Sequence, residues 1–259
     1  MSQADEIHRV PALVSFLVLH LLVYPSSNGY NSYMDRDETS IGGIRQPMQP
    51  TSELFRITLI MDVIAVLLSL LIGWIFCLGI LLYIIMSRAY SYRGIRLKKY
   101  PVTGFLTVFI FQGMLVFALS YLAISQSSLG EIPLMPCFIA GLLIGALYPL
   151  TQVYQHEADQ KDGVTSISML LGKKGSFIFS MILFLSASIL FYLLFREKEP
   201  ANFLVYLGVM LPVVLFFLYW MMKVWRDGSQ ASFTNSLRMN LVSTLCTTIF
   251  FITLIILKY

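Results

Sequence analysis

Long apolar runs recur along almost the whole chain, and they decide which solvent it folds in. Each is about 15 to 30 residues long, enough to cross or nearly cross a bilayer core that needs about 20 helical residues. One such run would suit the central helix of a large soluble core. Repeated runs within 259 residues, with 57% hydrophobic and only 12% charged side chains, exceed the roughly 45–50% apolar content of soluble domains and identify membrane helices. The expected fold is all-α: a polytopic transmembrane helical bundle, one domain over residues 1–259, in an integral multi-pass membrane protein. Cys77, Cys137 and Cys246 lie inside apolar runs without metal-type spacing and are read as packing residues. The first run ends at Pro25 and polar residues rather than a small-x-small cleavage site, so the first span is expected to stay in the protein.

The runs divide into eight spans: 10–24, 54–72, 73–88, 103–124, 132–151, 175–195, 202–222 and 236–257. The stretch 57–86 decides the count. As one straight helix it would be about 45 Å long at 1.5 Å per residue, against a hydrocarbon core of about 30 Å, so two spans hinged near Gly73 are expected. Eight spans put the loops 25–53, 89–102, 152–174 and 223–235 on one side. With their flanks they carry fourteen of the eighteen basic residues, leaving Arg9, Arg196, Lys198 and Lys258 for the other side. The positive-inside rule makes the polar loops cytoplasmic. The net charge of +4 is then a bias of one face, suited to anionic membrane lipid and needing no nucleic-acid partner.

Three of these loops carry groups with chemistry. The first, YPSSNGYNSYMDRDETSIGGIRQP, sets Asn28, Asn31, Asp35, Asp37 and Glu38 directly after a span. Carboxylate and amide oxygens suit Mg²⁺, which keeps several waters and takes substrate phosphates through one or two carboxylates. On a helix Asn31 and Asp35 share a face, as do Asn28 and Asn31; a solvated, turn-rich loop with glycines at Gly42 and Gly43 is the plain alternative. The second, YPLTQVYQHEADQKDGVTSISMLLGKKGS, places Gln152, Gln155, His156, Glu157, Asp159, Lys161 and Asp162 at the end of another span. Gln155 and Asp159 share a helical face there, whereas Glu157 and Asp159 splay; a lone histidine such as His156 is more often solvated than a ligand. The third, SRAYSYRGIRLKKYP, brings Arg88, Arg93, Arg96, Lys98 and Lys99 to the same side. Arginine binds phosphate oxygens bidentately and lysine adds a point charge, although basic loops also simply set topology. Asp62 lies within a span, where an ionisable group costs at least about 2.5 kcal/mol and faces a polar cavity; it is a candidate to line the same site.

Together these segments resemble the UbiA superfamily of intramembrane prenyltransferases over most of the chain. The family's first motif, N-D-x-x-D-x-x-x-D, falls on NSYMDRDET, which supplies Asn31 and Asp35 but has Ser32 and Thr39 where further acids stand. Its D-x-x-x-D pair before a G-[IV]-x-[ST] segment falls on QHEADQKDGVTS, giving Gln155 and Asp159 with Glu157 between. RLKKYP resembles the basic stretch after the family's fourth helix and puts Lys98 at the diphosphate-binding lysine. The family has nine spans with the first motif after the second. Here it follows the first, so the family's first helix is expected to be missing or to lie upstream of Met1.

The resemblance implies Mg²⁺ held by Asn31, Asp35, Glu157 and Asp159, with Asp35 and Asp159 essential to catalysis. Arg96, Lys98, Asn28 and Lys161 would hold the diphosphate of an isoprenoid donor, and a hydrophobic, aromatic acceptor would receive the prenyl group within the membrane. Tyr33, Tyr90 and Tyr154 are candidates to face such a site, or members of an ordinary interfacial belt. The competing readings are a UbiA-like protein whose site has decayed to lipid binding, which Ser32, Thr39 and Gln155 favour, and a transporter, for which the chain lacks an evident inverted repeat.

Overall fold

A polar residue in a bilayer must find its partner inside the protein, and this requirement shapes the helices as much as their apolar faces do. The computed structural model describes residues 3–4, 6–36, 38–40 and 43–258. Its helices are α1 (Arg9–Asp35), α2 (Ser52–Ser69), α3 (Trp74–Ser91), α4 (Pro101–Ser125), α5 (Leu134–Gln152), the short α6 (His156–Lys161), α7 (Ile167–Phe195, kinked at Gly172), α8 (Pro200–Arg226) and α9 (Phe233–Lys258). Seven are long and apolar enough to cross a membrane. The remaining long helix, α2, carries Glu53, Arg56 and Asp62 and completes about eight spans. The helix 57–86 is indeed broken: Gly73 adopts φ 151°, a conformation side chains resist, and its carbonyl starts α3 by accepting from Cys77 N–H at 3.0 Å.

The first expected span, 10–24, is too short. Helix α1 continues through Pro25 to Asp35, so the polar stretch expected as loop is helical up to that residue. Proline removes one backbone hydrogen bond from a helix; here the chain immediately before it, Leu17–Val23, widens into a π segment. Beyond the proline, polar contacts hold the helix where its hydrophobicity fails. Ser26 Oγ donates to Asp62 Oδ1 at 2.6 Å, Ser27 and Ser87 hydroxyls meet at 2.6 Å, and Ser91 Oγ donates to Asn31 Oδ1 at 2.7 Å. These bonds fasten α1 to α2 and α3. The other boundaries move less. Helix α7 starts at Ile167 rather than 175, and α8 and α9 extend to Arg226 and from Phe233.

Two large apolar cores and a small third cluster, of Ala4, Ala12 and Ile124, form among the described residues. One large core is built on Val18, Val23, Phe76, Ile80 and Leu119 of α1, α3 and α4; the second on Leu150, Phe177, Tyr206, Trp220 and Phe250 of α5, α7, α8 and α9. They join where α4 crosses α5: a Cβ on Gly113 would lie 2.5 Å from Gly141 Cα, so only two bare backbones fit. The polar ends of α1, α3, α5 and α8 share one face, as contacts across it demonstrate. Arg93 Nε donates to Met34 O at 2.8 Å, Ser236 Oγ to Leu150 O at 3.0 Å, and Lys173 Nζ to Gly228 O at 3.1 Å.

Asp62 does not join the other acids. It forms an ion pair with Arg88, whose guanidinium also lies 4.0 Å from the Tyr30 ring centroid and donates to Ser26 Oγ at 2.8 Å. Both side chains are largely buried, so Asp62→Leu is expected to lower stability by about 3–5 kcal/mol by leaving the arginine uncompensated. The double change Asp62→Leu/Arg88→Met should recover most of the loss, which thermal unfolding in detergent measures.

Candidate active site

The helical path of α1 past Pro25 gives its polar residues a common face. Asn28 and Asn31 line one cavity, and Asp35 follows Asn31 by one turn. Asp35 is the end of the helix, and Arg36 turns the chain away with φ 54°. Two cations meet the Asp35 carboxylate: Lys98 Nζ in a direct ion pair with Oδ2, and Arg96 Nη2 at 3.6 Å from Oδ1. The Asp35 side chain is 4% exposed, and its Oδ1 accepts no hydrogen bond. Lys98 Nζ also reaches Asn31 Oδ1 at 3.3 Å. Arg93 donates to the carbonyls of Met34 and Asp35, supplying donors to the unsatisfied end of the helix.

The basic loop between α3 and α4 therefore has definite geometry. Arg96 is buried with φ 53°, a left-handed conformation costing a residue with a side chain about 1–2 kcal/mol. It is held there by an ion pair on either side. Opposite Asp35 its guanidinium pairs directly with Asp162 Oδ2, and Nη1 donates to the Asp162 carbonyl at 3.2 Å. Arg93 Nη2 stands 3.7 Å from Asp162 Oδ1. Asp162 and Arg93 emerge as members of the cluster to which the family pattern assigns no role; their only sequence signal was charge in the two loops.

The second acidic segment is a six-residue helix with a firm stop. The α6 helix ends in a paired closure in which Val164 N–H donates to Asp159 O at 2.9 Å and Gly163 N–H to Gln160 O at 3.2 Å. That motif needs a left-handed residue, and Gly163 provides it at φ 67°. Thr165 N–H then donates to Lys99 O at 3.3 Å, stitching this segment to the basic loop. Glu157 and Lys161, one turn apart on α6, are exposed. Gln155 Nε2 donates to Tyr154 OH at 2.9 Å. His156 is half-buried and shares a hydrogen bond of 2.8 Å with the Ser168 hydroxyl. Burial, then Lys173, pushes its imidazole below the ordinary value.

The Tyr90 hydroxyl shares a 2.6 Å hydrogen bond with Tyr148 OH. Toward the membrane interior from this point, Tyr90 and Asn31 belong to the wall of a cavity of about 130 Å³ with Tyr83, Phe111 and Gln112, adjoining a second of about 290 Å³ that reaches Tyr24 and Ile144. Tyr33 packs on Phe55 and Tyr154 on Phe233, away from those walls. Asp37 lies outside the described residues, and Glu38 is exposed.

Among the described residues no three His, Cys, Asp or Glu side chains converge as a metal cage. The donors present are hard oxygens: Asn31 Oδ1, and Asp35 Oδ1, buried without a hydrogen bond. They fit a magnesium ion that keeps water and takes most of its remaining ligands from phosphate.

Residues 1–244 match the UbiA prenyltransferase family. Among solved structures, a UbiA homologue from Archaeoglobus fulgidus bound to Cd²⁺ is similar with a TM-score of 0.68 at 19% identity, over 97% of this chain and 89% of that one. The same homologue bound to GPP and Mg²⁺ gives 0.65 at 20% identity, over 98% and 90%. A digeranylgeranylglyceryl phosphate synthase gives 0.58 at 18% identity, over 95% and 91%. These likenesses bear on the fold. Among curated proteins the chain has no significant match.

Because His156 has a lowered pKa in the folded chain, the neutral ring contributes stability that is complete above the unfolded value of about 6.5. That contribution is lost as pH falls toward the folded value. The unfolding midpoint should decline below that pH in the native protein and decline less in His156→Gln, as measured by a pH series of melting curves.

Proposed function

The chain belongs to the UbiA prenyltransferase family, and from that premise we propose that it transfers a prenyl group from an isoprenoid diphosphate to a hydrophobic, aromatic acceptor within the membrane, with magnesium. The observation that carries this reading is the meeting of Asp35 with the cations Arg96 and Lys98 beside Asn31, which itself lines a cavity walled by tyrosine and phenylalanine. The GPP and Mg²⁺ bound by the Archaeoglobus homologue support the same class of donor.

In this reading Lys98 and Arg96 bind the diphosphate oxygens and neutralise the charge that grows as the allylic C–O bond breaks. Asn31, Asp35 and Asp159 would hold the metal, with Asn28 beside them; bound magnesium supplies Lewis-acid stabilisation of the departing diphosphate. Glu157, as a further metal ligand, and Lys161, as a further diphosphate contact, are the exposed members of this set. Tyr83, Tyr90 and Phe111 line the cavity, and an aromatic face turned to the allylic cation would attract its positive charge. The cavity keeps water from that cation and houses the isoprenoid chain. Cytoplasmic loops follow from the basic bias of this face.

The decayed, lipid-binding reading has one observation in its favour: Gln155, at a position where the family carries an acid, turns to Tyr154. Turnover separates the two. Purified protein given a prenyl diphosphate, an aromatic acceptor and Mg²⁺ should release diphosphate, and chelation should stop it. Asp35→Ala and Asp159→Ala should each lower kcat/KM by at least about 100-fold, and Lys98→Met should raise KM. Full activity in both aspartate variants would reject the assignment. Membrane-impermeant labelling of cysteines placed at Ser32 and Gln160 should reach both from the cytoplasmic side; labelling from opposite sides would dismantle the shared site.

A further inference from the structure

Asp162 lies outside both acidic patterns, yet it engages the buried arginine of the basic loop more closely than Asp35 does. We propose that Asp162 is a built-in competitor for the diphosphate: its carboxylate takes the Arg96 guanidinium, and a diphosphate must displace it to bind. This rests on the reading of Arg96 as a diphosphate-binding residue.

Carboxylate and phosphate address a guanidinium through the same planar fork, so one can stand in for the other. Asp162 uses the fork incompletely. Its Oδ2 takes Nη2 and its main-chain oxygen takes Nη1, while the buried Nε of Arg96 has no hydrogen-bond partner. A phosphate group bridging Nε and Nη2 would satisfy the donor that Asp162 leaves bare.

The two partners differ in their freedom to withdraw. The Arg96 side chain is 10% exposed, whereas that of Asp162 is 35% exposed at the end of α6. Loss of the carboxylate would not release the segment, because the Val164 to Asp159 and Thr165 to Lys99 bonds are both main-chain. A purely structural clamp makes the opposite forecast, since removing it would disorder the arginine and weaken anion binding. Competition lowers apparent affinity by the fraction of molecules whose site is already taken. For a partly exposed ion pair that factor is about fivefold.

Equilibrium binding of inorganic pyrophosphate with Mg²⁺ to the full chain in detergent reads this without turnover. Asp162→Asn and Asp162→Ser should each bind pyrophosphate about fivefold more tightly than the native protein, with KM for a prenyl diphosphate falling and kcat not rising. Equal or weaker binding in both variants, with the native protein binding well, would overturn the proposal alone. If the native protein bound no pyrophosphate, or Arg96→Met bound it as well as the native protein does, the reading of the basic loop would fall and the competitor with it.

Discussion

One guanidinium, that of Arg96, stands between the carboxylates of Asp35 and Asp162. Charges taken from water need close partners, because desolvation is costly and attraction grows as the effective dielectric falls. This requirement draws the end of α1 and the segment after α5 to the loop joining α3 and α4. The left-handed backbone of Arg96 persists because its side chain is fixed from both sides. Lys98 and Arg93 extend the same logic outward, one to Asn31 and Asp35, the other to the carbonyls ending α1.

Below that layer lies a second set of polar contacts facing a different task. Asp62, Arg88, Ser26 and the Tyr30 ring form a buried cluster of their own, while the Ser27–Ser87 and Asn31–Ser91 bonds tie α1 to α3. These contacts explain why a stretch as polar as Ser26–Asp35 remains helical beside a proline. They also set the register of α1, and so the depth at which Asn31 and Asp35 meet the basic loop. Membrane helices gain little from hydrophobic association with one another, so such bonds and close small-residue crossings, as at Gly113 and Gly141, carry much of their specificity.

The departures from the family pattern become easier to interpret in three dimensions. Gln155 turns to Tyr154, and Glu157 is exposed; the second segment presents Asp162 toward Arg96. A metal held chiefly by diphosphate and water needs few protein carboxylates, so a sparse acidic set remains compatible with family chemistry.

Much of this was fixed by the amino-acid sequence itself. Apolar runs of bilayer length dictated an all-helical membrane protein, Gly73 divided a run too long to cross once, and the basic bias grouped the polar loops on one face. Those features are legible because they depend on local length, composition and backbone freedom. Tertiary structure alone decided that α1 persists past Pro25, that Asp62 pairs with Arg88, that Glu157 and Lys161 face outward, and that Asp162 shares an arginine with Asp35. Each of these turns on which distant residue supplies a hydrogen bond or opposite charge in a medium without water, and the one-dimensional chain does not carry that information.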